Sequence, residues 1–305
     1  MKHHQVRQVV FPLLTALIWG TAFVAQDICA DHMGPMTFNA TRFFIAFLAL
    51  LVIVFLFRHS KDNDSGQSAV QNRQDRRSLL LGGFCCGSAL ALGSYLQQAG
   101  MTAGTDAGKA GFLTALYIVL VPIFGLFLHK KVSLPVWISV GLAVVALYLL
   151  CITDGFSAIA PGDLLLLGCA AGFAVHILVC DHFTQFVDGM KLSCIQFLVA
   201  SAWSAVGMVL LEEPTWASLA ACVIPILYVG VCSSGVGYTL QILAQKDSNP
   251  TVVTLLLSME SVFAVLAGAV LLHQQMSLRE YLGCALMLAA VILAQIPFRG
   301  SRQDA

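Results

Sequence analysis

Few side chains in this sequence are equipped for chemistry, and those that are lie inside long apolar stretches. Glu260 falls ten residues after Pro250, roughly 15 Å along a helix at about 1.5 Å per residue. A carboxylate that deep in a bilayer is costly unless it is paired, protonated or hydrated. Glu260 therefore reads as a group that faces a cavity or carries a proton; the alternative is a neutral glutamic acid hydrogen-bonded to a neighbour as packing. Arg42 lies roughly 10 Å into its own apolar stretch, again at about 1.5 Å per residue. It can hold a carboxylate or phosphate through two parallel donors, or pair structurally with Asp27, Asp31 or Asp106. His176 titrates near neutral pH when unperturbed, which suits proton coupling, although a helix histidine can equally be a satisfied hydrogen-bonding residue. Lys109 stands a turn from an expected helix end and reads as interfacial. Trp19, Tyr95, Tyr117, Trp203 and Tyr238 supply aromatic surface for a pocket or for ordinary packing.

Other chemistries lack their residues. The ten cysteines are scattered, with no Cys-x-x-Cys and no metal-ligand spacing, and read as small buried apolar side chains. Gly-x-Gly-Asp and His-Glu-x-x-His are absent, and Gly155-Phe156-Ser157 falls in an expected outer loop. No Gly-x-x-x-x-Gly-Lys-Ser/Thr motif is present. An enzyme, a metal site, a cofactor, a nucleic-acid partner and a primary ATP-driven pump are not expected.

The elements that must position these residues are membrane helices. With 58% hydrophobic and 10% charged residues and a mean hydropathy of +0.85, the chain has too little polar surface to cover a soluble globule. A spanning helix takes about 20 mostly apolar residues. Ten such segments are expected: 9 to 29, 36 to 57, 79 to 99, 107 to 128, 134 to 151, 162 to 181, 190 to 211, 218 to 243, 250 to 272 and 278 to 297. They are continuously apolar rather than alternating, which excludes a β-barrel. Met1 to Arg7 followed by an apolar run has the outline of a signal peptide, but the run continues through Trp19 to Ala25 without an Ala-x-Ala pattern, so it is expected to be the first span. The polar stretch from 58 to 78 reads as a cytoplasmic loop.

Two halves, 1–152 and 153–305, repeat each other. A slide of 154 lays Asp27, Met36, Phe43 and Ala46 on Asp181, Met190, Phe197 and Ala200; a slide of 144 lays Gly93 to Gln97 on Gly237 to Gln241, and His129 and Ser133 on His273 and Ser277. With the amino terminus inside, thirteen of the sixteen Lys and Arg fall in inner segments, as basic residues do in cytoplasmic loops. Both termini are expected to be cytoplasmic. Five helices per copy is odd, so the second copy enters the bilayer from the opposite side. Basic Arg58 to Arg77 corresponds accordingly to acidic Glu212-Glu213, and His129-Lys130-Lys131 to His273-Gln274-Gln275. The expected architecture is all-α, ten transmembrane helices in two inverted five-helix repeats, an arrangement that places a solute site near the midplane and supports alternating access. Gly83-x-x-x-Gly87, Gly104-x-x-x-Gly108 and Gly168-x-x-x-Gly172 allow close helix approach.

Trp19-Gly20, Arg42, the run Gly108-Lys109-Ala110-Gly111-Phe112-Leu113-Thr114 with Val121-Pro122, and Ser258-Met259-Glu260 before Val262-Phe263 resemble the EamA family of the drug/metabolite transporter superfamily, over residues 9 to 297. The resemblance implies ten helices in two repeats and movement, often export, of small metabolites such as amino acids or drug-like compounds. It also implies a central cavity lined by the first, third, fourth, sixth, eighth and ninth expected helices, bringing together Trp19, Gln97, Tyr117, His176, Tyr238 and Glu260; Arg42 joins them by position. Many relatives carry Pro directly after this Glu. Here Ser261 stands instead, so the helix break that Pro encourages loses that support in this sequence. The expected function is a secondary transporter of the cytoplasmic membrane, its partners the bilayer, a small solute and protons. The alternative is a non-transporting scaffold or receptor on the same fold.

Overall fold

The computed structural model describes residues 2–58, 69–105, 107–130, 132–152, 160–246, 248–271 and 276–295. The loop residues from His59 to Ser68, Asp106, Lys131, Gly155-Phe156-Ser157, His273 to Gln275, Arg299 and Arg302 lie outside them. All regular structure among the described residues is helical: α1 (Lys2–Ala30), α2 (Pro35–Arg58), α3 (Ala69–Thr102), α4 (Ala107–Ala115), α5 (Tyr117–Phe127), α6 (Leu134–Cys151), α7 (Pro161–Phe183), α8 (Gly189–Leu211), α9 (Trp216–Ala221), α10 (Val223–Leu227), a π-helical segment (Tyr228–Tyr238), α11 (Thr239–Gln245), α12 (Pro250–Leu257), α13 (Met259–Leu271) and α14 (Leu278–Gln295).

Among the described residues each expected apolar segment overlaps helix, and seven helices are long and apolar enough to cross a membrane, from Arg7–Ala30 to Val223–Gln245; Leu134–Leu150 and Pro250–Leu266 are shorter apolar helices. Their outward faces carry large apolar side chains, among them Phe55, Phe84, Val209, Leu210 and Ile224, an apolar surface suited to contact with lipid. The stretch from 58 to 78, expected as loop, is helical from Ala69 onward. α3 begins at Ala69, because Gln and Arg are good helix formers and the polar turns extend an apolar helix beyond the bilayer.

Helix ends follow local chemistry. Proline opens α6, α7 and α12 within their first two positions, where its missing N–H is not needed. Asp188 accepts from the amides of Met190 and Lys191 to start α8. α2 is started by a distant residue: Glu212, just past α8, accepts from the amides of Met36 and Thr37, both at 2.8 Å. A carboxylate there answers the positive end of the helix and fastens α2 to α8.

Three spans are interrupted. The α4–α5 junction at Leu116 lies a turn and a half before Pro122, whose ring and missing N–H disturb the preceding turn. Pro225 stands three residues after the α9–α10 junction at Cys222, and the π-helical segment follows. α12 and α13 meet at Ser258, so the span is broken although Ser261 stands where relatives carry proline. The hydroxyl of Ser258 bonds the carbonyl of Leu255 at 2.7 Å, a local competition that bends helices, and the amide of Ser261 reaches back only to Ser258.

Packing pairs α2 with α8 and α6 with α14; α3 lies on α7 and α8, and α1 lies on the π-helical segment, α11, α12 and α13. Replacing every helix by its counterpart in the other half reproduces this pattern, with α1 on the π-helical segment matching α7 on α3, and α1 on α13 matching α7 on α4 and α5. Small residues set the closest approaches. A Cβ on Gly87 would stand 2.6 Å from the carbonyl of Gln196, and one on Gly20 would stand 2.5 Å from the carbonyl of Glu260 and 2.9 Å from the amide of Ala264. Gly20→Val is thus expected to push α1 away from α13 and cost about 1–3 kcal/mol, read as a lowered thermal unfolding midpoint in detergent; an unchanged midpoint would mean that this contact is not tight.

Candidate functional site

Where α1, α2, α3, α4, α5, α7, α11 and α13 converge with the π-helical segment, they line a cavity of about 40 Å³, room for about three waters. Trp19, Arg42, Gln97, Tyr117, His176, Tyr238 and Glu260 all line it. These seven candidates come from seven elements spread over both halves of the chain, so only the folded bundle brings them together.

Glu260 occupies the first turn of α13, two residues after the Ser258 interruption, and is buried at 3% exposure. Tyr117, the first residue of α5 after the other interruption, donates its hydroxyl to Glu260 Oε1 at 3.5 Å. The two broken spans therefore meet through an acid and a phenol. Among the described residues Glu260 has no cation within ion-pair distance.

The wall opposite in sequence is the π-helical segment. Its register misaligns carbonyls that an α-helix would pair, and α1 supplies donors: Trp19 Nε1 donates to the carbonyl of Ser233 at 3.0 Å and Thr15 Oγ1 to that of Gly237 at 3.1 Å. A Cβ on Gly237 would lie 2.6 Å from Trp19 Nε1, so glycine there is what lets the indole in. The indole then meets Tyr238 at a ring separation of 4.7 Å, and the edge of His176 meets the same tyrosine at 5.8 Å.

His176 has polar neighbours inside the bundle. Its Nε2 lies 3.1 Å from Gln196 Oε1 and 3.3 Å from Cys180 Sγ. Gln97 donates to Thr114 Oγ1 at 3.4 Å. Arg42 is buried at 2% exposure, with Phe38 and Phe43 at 5.0 and 4.6 Å from its guanidinium carbon. Of the carboxylates considered for Arg42, Asp106 lies outside the described residues; the Nη1 of Arg42 donates to Gln26 Oε1 at 3.3 Å. The repeat equivalents hold the same relation, since Cys180 Sγ lies 4.0 Å from Gln196 Oε1.

Some expected aromatics are elsewhere. Tyr95 and Trp203 line a separate cleft of about 210 Å³ between α2, α3 and α8, with Trp203 half exposed and its Nε1 bonded to Ser88 at 3.0 Å. Lys109 belongs to the first turn of α4. Gln26, Thr114, Ser233 and Gln241 line the central cavity and were not singled out from sequence. Gln241 carried a usable signal, because the repeat lays Gln97 on it. On the side expected to be cytoplasmic, Lys130 after α5 pairs with Asp181 of α7.

The model of the EamA-like transporter family matches residues 7–152 and again 160–295. An uncharacterized transporter of Archaeoglobus fulgidus is 30% identical over 288 residues, covering 93% of this chain and 84% of that protein. A crystal structure described only as that of a protein has a TM-score of 0.76 at 16% identity, covering 94% of this chain and 96% of its own; it shares the fold. The chain belongs to the EamA-like transporter family and is a multi-pass membrane protein.

Because Trp19 holds a carbonyl of the π-helical segment, Trp19→Phe is expected to keep the ring and lose the bond, costing about 0.5–1.5 kcal/mol. Hydrogen exchange should then accelerate in residues 228 to 238. Exchange unchanged from wild type would separate the indole from the stability of that segment.

Proposed function

We propose that this member of the EamA-like transporter family is a secondary transporter of the cytoplasmic membrane that exports a small organic solute, with the central cavity as its substrate site. The observation that carries the reading is the gathering of buried polar and aromatic groups from both halves around one cavity, beside two interrupted helices. In a bilayer such groups are retained at a cost, and discontinuous helices at the interface of two repeats are where transporters place solute sites. The ten helices form two inverted repeats in this reading, with both termini cytoplasmic; the exchange symmetry of the helix contacts and the two matches of the family model support it.

The cavity also bears on mechanism. At about 40 Å³ it is far below the roughly 300–1,000 Å³ of pockets for drug-sized ligands, so a metabolite enters only if helices part. Rocking one half against the other opens the site to each side in turn. Glu260 is the leading coupling group and His176 the second. Protonation and solute binding drive transport if they favour different facing states, each by its differential affinity.

A thermal-shift screen of a metabolite and drug library against the purified protein provides a working solute. In proteoliposomes, an imposed proton gradient is then expected to drive that solute against its concentration in the wild type and not in Glu260→Gln, which should still exchange solute across the bilayer. Uphill transport by Glu260→Gln with unchanged pH dependence would remove the carboxylate from the coupling step, and absence of solute movement in both proteins would overturn the transporter reading.

A further inference from the structure

We infer that the central cavity takes its solute by a carboxylate, seated on the unoccupied edge of the Arg42 guanidinium, so that the transported class is small organic monoanions at that end. The inference rests on the reading of this cavity as the substrate site.

The guanidinium is almost fully buried, and only Nη1 is bonded, to Gln26. Nε and Nη2 have no partner. In arginine these two nitrogens point their N–H groups side by side along one edge, at the spacing of the two oxygens of a carboxylate. The unused donors are thus a matched pair. Phe38 and Phe43 pack close to the guanidinium, and such contacts favour a cation without consuming its N–H donors. A cation left unpaired in a low-dielectric interior is unfavourable, and an anion arriving in that edge supplies the missing countercharge together with two charge-assisted bonds.

A second buried group points the same way. Gln241 lines the same cavity at 1% exposure, and both ends of its amide lack partners. Buried polar atoms are normally bonded, so unpaired atoms of Arg42 and Gln241 on one small cavity mark a place where a polar ligand belongs. The sign and multiplicity of charge narrow the class. Arg42 is the lining residue with a permanent positive charge, and Glu260 shares the wall. A phosphate dianion would bring a second negative charge without a second fixed cation, whereas a carboxylate matches one guanidinium. Trp19, Tyr117 and Tyr238 supply apolar surface for the carbon body.

The test uses the full chain purified in detergent and three acids, acetate, propionate and benzoate, each against its own neutral amide, at constant ionic strength. Thermal midpoint and tryptophan fluorescence report binding. The acids are expected to saturate and the amides to bind at least tenfold more weakly. Arg42→Lys, which keeps the charge and loses the fork, and Arg42→Gln should each weaken the acids at least tenfold and leave the amides alone. Amides equal to acids in the wild type, acids bound equally well by the Arg42 variants, or no saturable response to any acid would overturn the inference; the acid and amide comparison needs no variant, so a misfolded substitution does not spoil it. Ala22→Trp, which fills the cavity, separates the two readings. Binding that it abolishes while Arg42 proves irrelevant keeps the cavity and discards the carboxylate, and binding that it leaves untouched discards the cavity as the site.

Discussion

Polar groups in this protein must find partners inside the bundle, because the solvent on its flanks is hydrocarbon. The constraint sorts the whole structure. Large apolar side chains turn outward, and polar ones turn inward, where α1 bonds the misaligned carbonyls of the π-helical segment and Glu212 closes the start of α2. What the bundle leaves unpaired is then informative. Around the central cavity the unpaired atoms belong to Arg42 and Gln241.

Glycine makes that inward network possible. Gly20 lets α1 rest on the backbone of Glu260, and Gly237 admits the indole of Trp19. The cavity is therefore walled by backbones in near contact, with little slack between α1 and either neighbour. Opening it means moving α1 relative to α13 or to the π-helical segment as units, since cores packed in this way shift between discrete arrangements rather than deform smoothly.

Much of this was legible in the sequence. Apolar runs located the long apolar helices among the described residues, and the repeat brought Gln97 and Gln241 into correspondence before either was seen on one cavity. The readable features were those governed by composition and long periodicity. Others depended on tertiary partners. The break at Ser258 arises from a single hydroxyl bonding its own helix, an outcome that serine does not announce, because the same side chain elsewhere leaves a helix straight. The start of α3 at Ala69 was missed because a polar stretch reads as a loop when apolarity is the criterion. For Arg42 the sequence offered aspartates as partners, and the choice of Gln26 depended on which faces of α1 and α2 meet.

The composition of α2 has a consequence for how the chain is made. Its spanning part, Pro35–Phe55, has a mean hydropathy of 2.2, matched among the long helices only by Ala110–Phe127. An arginine near the middle of a helix costs about 2.5–3.5 kcal/mol on the scale of translocon insertion. The twelve Leu, Ile, Val and Phe residues of this span return roughly 4–7 kcal/mol at about 0.3–0.6 each. α2 can thus leave the translocon for lipid by itself during synthesis, carrying its cation before α7, α11 or α13 has been translated. The excess of phenylalanine and leucine around Arg42 is cargo for biogenesis as well as for packing.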